Sequence, residues 1–106
     1  MSYNGGPMTE AMYYVLLALI RPNHGYQLMQ AITDVSQGRL KMGPGTLYGV
    51  LSRMQKDGLI VLAKDDGRRK TYEITGIGEQ ALRAEYNRLK SLILDSRMLE
   101  EGNEHV

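Results

Sequence analysis

Apolar residues in this 106-residue chain recur first at a helical period. Met12, Val15, Leu16 and Leu19 stand three or four apart behind Thr9, a good N-cap, and predict a first helix ending at Arg21-Pro22-Asn23. Tyr26, Met29, Ile32 and Val35 predict a second helix from about Gly25 to Ser36, closed by Gly38. A third follows in "GPGTLYGVLSRMQKDG", with Gly43 as N-cap, Pro44 at the first helical position and Gly58 as the stop. Leu47, Val50, Leu51 and Met54 form its apolar stripe, leaving Gly45, Tyr48, Gly49, Ser52 and Lys56 on the polar side.

The period then changes. "GLIVLA" and "RKTYEIT" have strand character and are joined by "KDDGR", so Asp66-Gly67 predicts the tip of a β-hairpin. Tyr72 and Ile74 are expected to share a face with Leu62 and with Leu59 or Ile60. Thr75 caps a last helix predicted to continue to about Glu101, in which Ala81, Leu82, Glu85, Tyr86, Leu89, Leu92, Ile93, Ser96 and Leu99 fall in one band. At about 1.5 Å per residue it reaches roughly 40 Å, against a radius of gyration near 13 Å for a domain of this size. Its far half outruns its own domain, and those leucines need a partner. The dimer contacts expected are Met12, Leu16, Leu82, Tyr86, Leu89, Leu92, Ile93, Ser96 and Leu99. Leu94 and Met98 lie off the band and suggest contact on a second side, with the partner's first helix.

Three helices and a hairpin make a mostly α chain with a small β element, the arrangement of a winged helix-turn-helix. Residues 8–74 form that domain, 75–101 the dimerisation helix, 1–7 a flexible tail and 102–106 a disordered one. One hundred and six residues are too few for two independent cores. Without cysteine there is no disulfide and no zinc finger of the usual kind. No basic, apolar leader opens the chain and "AMYYVLLALI" is too short to span a bilayer, so no membrane partner is expected and the cytoplasm is the default location.

Charge adds a direction. Residues 39–70 hold eight basic side chains against three acidic ones, in a chain whose formal net charge is +1. That basic middle is the footprint of a polyanion surface, and double-stranded DNA is the partner expected. In a helix-turn-helix the helix after the turn enters the major groove. The first-turn N–H groups of the third helix favour a phosphate, and Gly43 and Gly45 let the backbone approach, while Thr46 and Tyr48 supply hydroxyls. Ser52, Arg53 and Lys56 face the bases or flanking phosphates, Lys41 precedes the helix, and Arg68, Arg69 and Lys70 crowd the wing tip. Asp65 and Asp66 beside them are placed to pair with the arginines when DNA is absent. The alternative is a winged helix that binds an acidic protein instead of specific DNA. Catalysis has no support: His24 and His105 are the only histidines, His24 reads as a cap or packing residue, and no carboxylate pair or phosphate loop is present. No metal or other cofactor is expected.

"HGYQLMQ", "GPGTLYGVLSRMQKDGLI" and "GRRKTYEITGIGEQAL" together resemble the PadR-like transcriptional regulators, over roughly residues 9 to 95. By that resemblance His24-Gly25-Tyr26 opens the second helix, Pro44 to Tyr48 start the recognition helix, and Arg68 to Tyr72 belong to the wing. The chain resembles the short subgroup with a single dimerising C-terminal helix. The resemblance implies a homodimer on an inverted-repeat operator, commonly repressing, and in several members released by a small aromatic effector. Here Gly49 stands where the family often has proline, and Gly43 where it favours serine. The chain has no tryptophan on which a planar drug could stack, so Tyr13, Tyr14 and Tyr86 are the candidates to line an interhelical ligand site, the alternative being that they serve the core.

Overall fold

The Thr9 hydroxyl accepts the Met12 N–H at 3.1 Å, starting α1 (Glu10–Ala18) where the sequence places it. The computed structural model describes the backbone of residues 5–102 and the side chains through Glu100. Residues 1–4 and 103–106, which hold His105 and most of the tails expected from the sequence, lie outside the described residues. After α1 come β1 (Asn23–His24), α2 (Gly25–Val35), α3 (Pro44–Lys56), β2 (Ile60–Asp65), β3 (Lys70–Ile74), α4 (Gly76–Asp95) and α5 (Met98–Gly102). The result is a mostly helical winged helix-turn-helix with a C-terminal helix projecting from it, 58 Å in its longest extent. Among the described residues no helix is long and apolar enough to cross a membrane.

The core is assembled from one face of each element. Val15, Leu16 and Leu19 meet Leu28 and Ile32 of α2, Leu47, Leu51 and Met54 of α3, and Leu59, Ile60 and Tyr72 of the sheet, with Ala81 and Leu82 of α4 closing it. Leu16 is enclosed by its own domain, so it cannot be the dimer contact expected of it. Leu82, 7% exposed, likewise anchors α4 to the domain that carries it.

The second helix buries a different face from the one predicted. Leu28, Ile32 and Ser36 point inward, whereas Tyr26 is 76% exposed and Val35 44%. The reason is angular. Steps of three residues lose about 60° each, so Tyr26 and Val35 end on opposite sides, while steps of four drift by only about 40°. Ser36 then ties the turn between α2 and α3: its hydroxyl accepts the Leu40 N–H at 3.0 Å and donates to the Thr33 carbonyl at 3.1 Å. Gly38, at φ +79°, donates its N–H to the Thr33 carbonyl and stops the helix as expected.

The sheet has three strands, ordered β1-β3-β2, where the sequence predicts a two-stranded hairpin. The added strand is two residues long, with Asn23 opposite Tyr72 and His24 opposite Thr71. His24 precedes α2 in extended conformation, and its side chain makes no capping bond, so of the cap and packing roles expected the first is not seen, and its backbone pairs with the wing. In the hairpin itself Ile60 pairs with Ile74 and Leu62 with Tyr72, and Ala63 forms a bulge between Leu62 and Lys64.

The last helix is interrupted. At the end of α4 the Ser96 hydroxyl donates to the Leu92 carbonyl at 2.7 Å and the Arg97 guanidinium donates to the Leu94 carbonyl at 3.1 Å. The backbone leaves the α-helical pattern at Arg97, whose N–H bonds the Leu94 carbonyl three residues back at 3.3 Å, and the chain turns once before α5. The continuous helix expected from Thr75 to Glu101 is therefore a 20-residue helix of about 30 Å followed by a separate short turn of helix.

At its start α4 is fixed against the wing. The Thr75 N–H and hydroxyl reach the Leu59 carbonyl at 3.0 and 3.1 Å, the hydroxyl also donates to the Gly58 carbonyl at 2.6 Å, and it accepts the Gly78 N–H at 3.0 Å. Gly78 passes so close to this corner that a Cβ on it would stand 2.1 Å from the Leu59 oxygen.

Candidate nucleic-acid interface

Helix α3 turns Leu47, Leu51 and Met54 inward and leaves Gly43, Gly45, Thr46, Tyr48, Ser52, Arg53 and Lys56 exposed, with Lys41 exposed just before it. Gly43 adopts an ordinary extended conformation, Pro44 begins the helix, and no side chain caps it. A Cβ on Gly43, Gly45 or Gly49 would meet nothing within 4 Å, so the fold itself does not require glycine at these positions. What the small residues leave is open backbone at the first turn of α3, where N–H groups lack helical partners.

Tyr48, 42% exposed, is not freely extended. Its hydroxyl lies 3.3 Å from where a Cβ of Gly25 would be, and Gly25 holds a positive φ of +32°. The ring also neighbours the wing: burial pushes the Tyr72 phenol above its usual range, and the nearby Tyr48 phenol adds to the rise. Helix α3, the start of α2 and strand β3 thus converge at Tyr48.

Beyond it, Arg68, Arg69 and Lys70 are exposed at the wing tip. The aspartates serve the turn's backbone: Asp65 accepts the Gly67 N–H at 3.0 Å, and Asp66 accepts the N–H groups of Arg69 at 2.8 Å and Arg68 at 3.1 Å. Those backbone bonds, from Arg69 first and Arg68 next, hold the Asp66 carboxyl below the usual range. Arg68 and Arg69 lie in the turn, and Lys70 begins β3, so strict alternation does not govern which way the first two face.

The other predicted sites lie along α1 and α4. A groove of about 260 Å³ between them is lined by Tyr13, Leu17, Ile20, Leu82 and Tyr86, with Glu79 and Arg83 at its edge. Of the three tyrosines expected at a ligand site, Tyr13 and Tyr86 line this groove, and burial, then Tyr86 and Glu85, raise the Tyr13 phenol. Tyr14 is not among the lining residues: it meets Tyr13 edge to face at 6.2 Å and accepts a hydrogen bond from Arg39 at 3.0 Å. Leu17, Ile20, Glu79 and Arg83 escaped the sequence reading, since only the crossing of α1 and α4 brings them together. Further along, Tyr86, Leu92, Ile93, Leu94, Met98 and Leu99 are exposed, Ile93 by 69% and Leu99 by 68%, while Met12, Leu89 and Ser96 are half-buried.

Comparison with known proteins agrees with this architecture. Residues 15–84 match the model of the Transcriptional regulator PadR-like family. The chain is 33% identical over 76 residues to Transcriptional regulator YqjI of Escherichia coli, covering 72% of this chain and 36% of that protein. It is 38% identical over 72 residues to Transcriptional regulator Rv3488 of Mycobacterium tuberculosis, covering 65% of this chain and 64% of that one. The chain thus spans between a third and two thirds of the length of these two relatives. A PadR family transcriptional regulator from Eggerthella lenta superposes with a TM-score of 0.67 at 28% identity, over 82% of this chain and 74% of that chain. The chain belongs to the PadR-like family of transcriptional regulators, a family of DNA-binding proteins and not of enzymes.

Proposed function

We propose that the protein binds double-stranded DNA as a homodimer on an inverted-repeat operator and represses transcription by occupying a promoter. The observation that carries this reading is the exposed, uncovered first turn of α3 beside a basic wing, on a chain whose distal helix leaves a row of large apolar side chains in water. Pairing two copies through Tyr86, Leu89, Leu92, Ile93, Ser96 and Leu99, with Met12 of α1 alongside, covers that row. It also presents two α3 helices for half-sites one helical turn apart, about 34–36 Å. In this arrangement Gly43, Gly45, Thr46 and Tyr48 meet the backbone, Ser52, Arg53 and Lys56 face the groove, and Lys41, Arg68, Arg69 and Lys70 hold flanking phosphates. The groove lined by Tyr13 and Tyr86 suits a small aromatic effector that alters the spacing of the two α3 helices.

Selection of bound duplexes from a random pool tests the reading directly, with an inverted repeat as the expected product. On the selected duplex, Arg68→Ala and Lys70→Ala each weaken binding and lower the salt slope by about one phosphate equivalent at most. Absence of any salt-sensitive duplex binding by the dimer overturns the reading in favour of a protein-binding winged helix.

A further inference from the structure

Among the described residues Tyr26 is the most exposed of the large hydrophobic side chains, at 76%, and neither the core nor the groove uses it. Its place in the fold is specific. It follows by two residues a strand whose His24 pairs with Thr71 of the wing, and Thr71 adjoins Lys70. At the intervening residue, Gly25, an added Cβ would stand 3.3 Å from the Tyr48 hydroxyl of α3. The start of α2 is therefore joined by backbone pairing to the wing and lies close to the Tyr48 side chain of α3.

We propose that the first turn of α2 is part of the DNA-binding surface, with Tyr26 donating a hydrogen bond to a backbone phosphate and Gly25 acting as a positioning residue for the Tyr48 hydroxyl at the same corner. This rests on the DNA-binding reading above and extends it to an element that reading leaves out. The chemistry favours a phosphodiester. A phenol joins an apolar ring, which packs on a deoxyribose, to a donor for an anionic oxygen, and the neighbouring wing carries Arg68, Arg69 and Lys70. A side chain on Gly25 would crowd the Tyr48 hydroxyl at 3.3 Å and would be strained at φ +32°, so glycine here permits the tyrosine's placement.

Because a phenol is neutral, it releases no counterion on binding, and its signature differs from that of a wing arginine. The test measures anisotropy of a labelled duplex of about 30 base pairs, three helical turns, over a range of salt. Wild type is compared with Tyr26→Phe, Tyr48→Phe, Gly25→Ala, the Gly25→Ala/Tyr48→Phe pair and Arg68→Ala, with melting curves confirming that each is folded. Tyr26→Phe and Tyr48→Phe are expected to weaken binding about three- to tenfold, at every duplex sequence and with the salt slope unchanged. Gly25→Ala is expected to weaken it by a similar factor, yet add less than about twofold once Tyr48 has lost its hydroxyl. Wild-type affinity in Tyr26→Phe and Gly25→Ala, with Arg68→Ala still weakened and its salt slope reduced, overturns this proposal and leaves the DNA reading standing. Failure of the wild type to bind duplex removes both.

Discussion

Replacing Gly78 by alanine adds one methyl group where α4 passes the wing root. That methyl would stand 2.1 Å from the Leu59 oxygen and the glycine already lies against Ile74, whose Cγ1 would be 2.8 Å away. An ordinary carbon–oxygen contact is about 3.3 Å, so α4 must retreat by roughly 1 Å. Overpacking of this kind costs about 1–3 kcal/mol. The retreat also pulls on the hydrogen bonds from Thr75 to the Leu59 carbonyl, worth about 0.5–1.5 kcal/mol each. Against this, alanine gains up to about 1 kcal/mol in helix propensity. The net loss is about 2–3 kcal/mol, which for a domain of this size lowers Tm by roughly 10–20 °C. Gly76, two residues earlier, supplies the control: a Cβ there meets nothing within 4 Å and its φ is not positive, so Gly76→Ala should be neutral or slightly stabilising. The assay is thermal unfolding by circular dichroism at one fixed protein concentration, since dimerisation shifts Tm by mass action. If Gly78→Ala melts within about 2 °C of Gly76→Ala, the close approach does not hold α4 to the wing and the reasoning fails.

Three further outcomes are expected. The bidentate bond from Arg88, helped by the Met8 N–H, holds the buried Glu85 carboxyl below its usual range, so its stabilisation is present above the unfolded value of about 4.3 and disappears as pH falls through the folded one. Melting curves taken from pH 6 down to pH 3 should therefore fall more steeply for wild type than for Glu85→Gln, and parallel curves would contradict this. Ser36→Ala takes its acceptor from the partly buried Leu40 N–H and should cost about 0.5–1.5 kcal/mol in urea unfolding, against almost nothing if water replaces the hydroxyl. Ile93→Asp places a charge within the exposed apolar row and should weaken self-association at least about 100-fold in sedimentation, whereas an unchanged dimer would locate the interface elsewhere.

Much of this architecture is legible from local chemistry. Thr9 and Thr75 cap as hydroxyl residues before apolar runs do, Pro44 starts a helix because it lacks an N–H there, and the Asp66-Gly67 tip declares the hairpin. The exposed side of α3 follows from period alone. What stayed hidden depends on contacts distant in sequence. Two residues, Asn23 and His24, are too few to show alternation, so β1 becomes visible only once β3 lies beside it. Gly78 looks like a poor helix residue until the Leu59 carbonyl is seen against it. Tyr26 and Val35 read as core because apolar residues at steps of three imitate a stripe over one turn and diverge over three. The break after Asp95 is a change of backbone partner, Arg97 to Leu94, that the residue types do not dictate.

The corner at Leu59 has a mechanical meaning. One carbonyl there receives both the N–H and the hydroxyl of Thr75 and leaves Gly78 no room to move, so the wing root and the projecting helix share a welded joint rather than a hinge. With an arm of about 30 Å, a 5° tilt at the far end of α4 displaces its tip by about 2.6 Å relative to the wing. If two copies pair along these arms as proposed, that leverage runs the other way as well: small rotations between the two arms would swing each winged domain as a rigid body, and the spacing of the two α3 helices would be set at the far end of the arm.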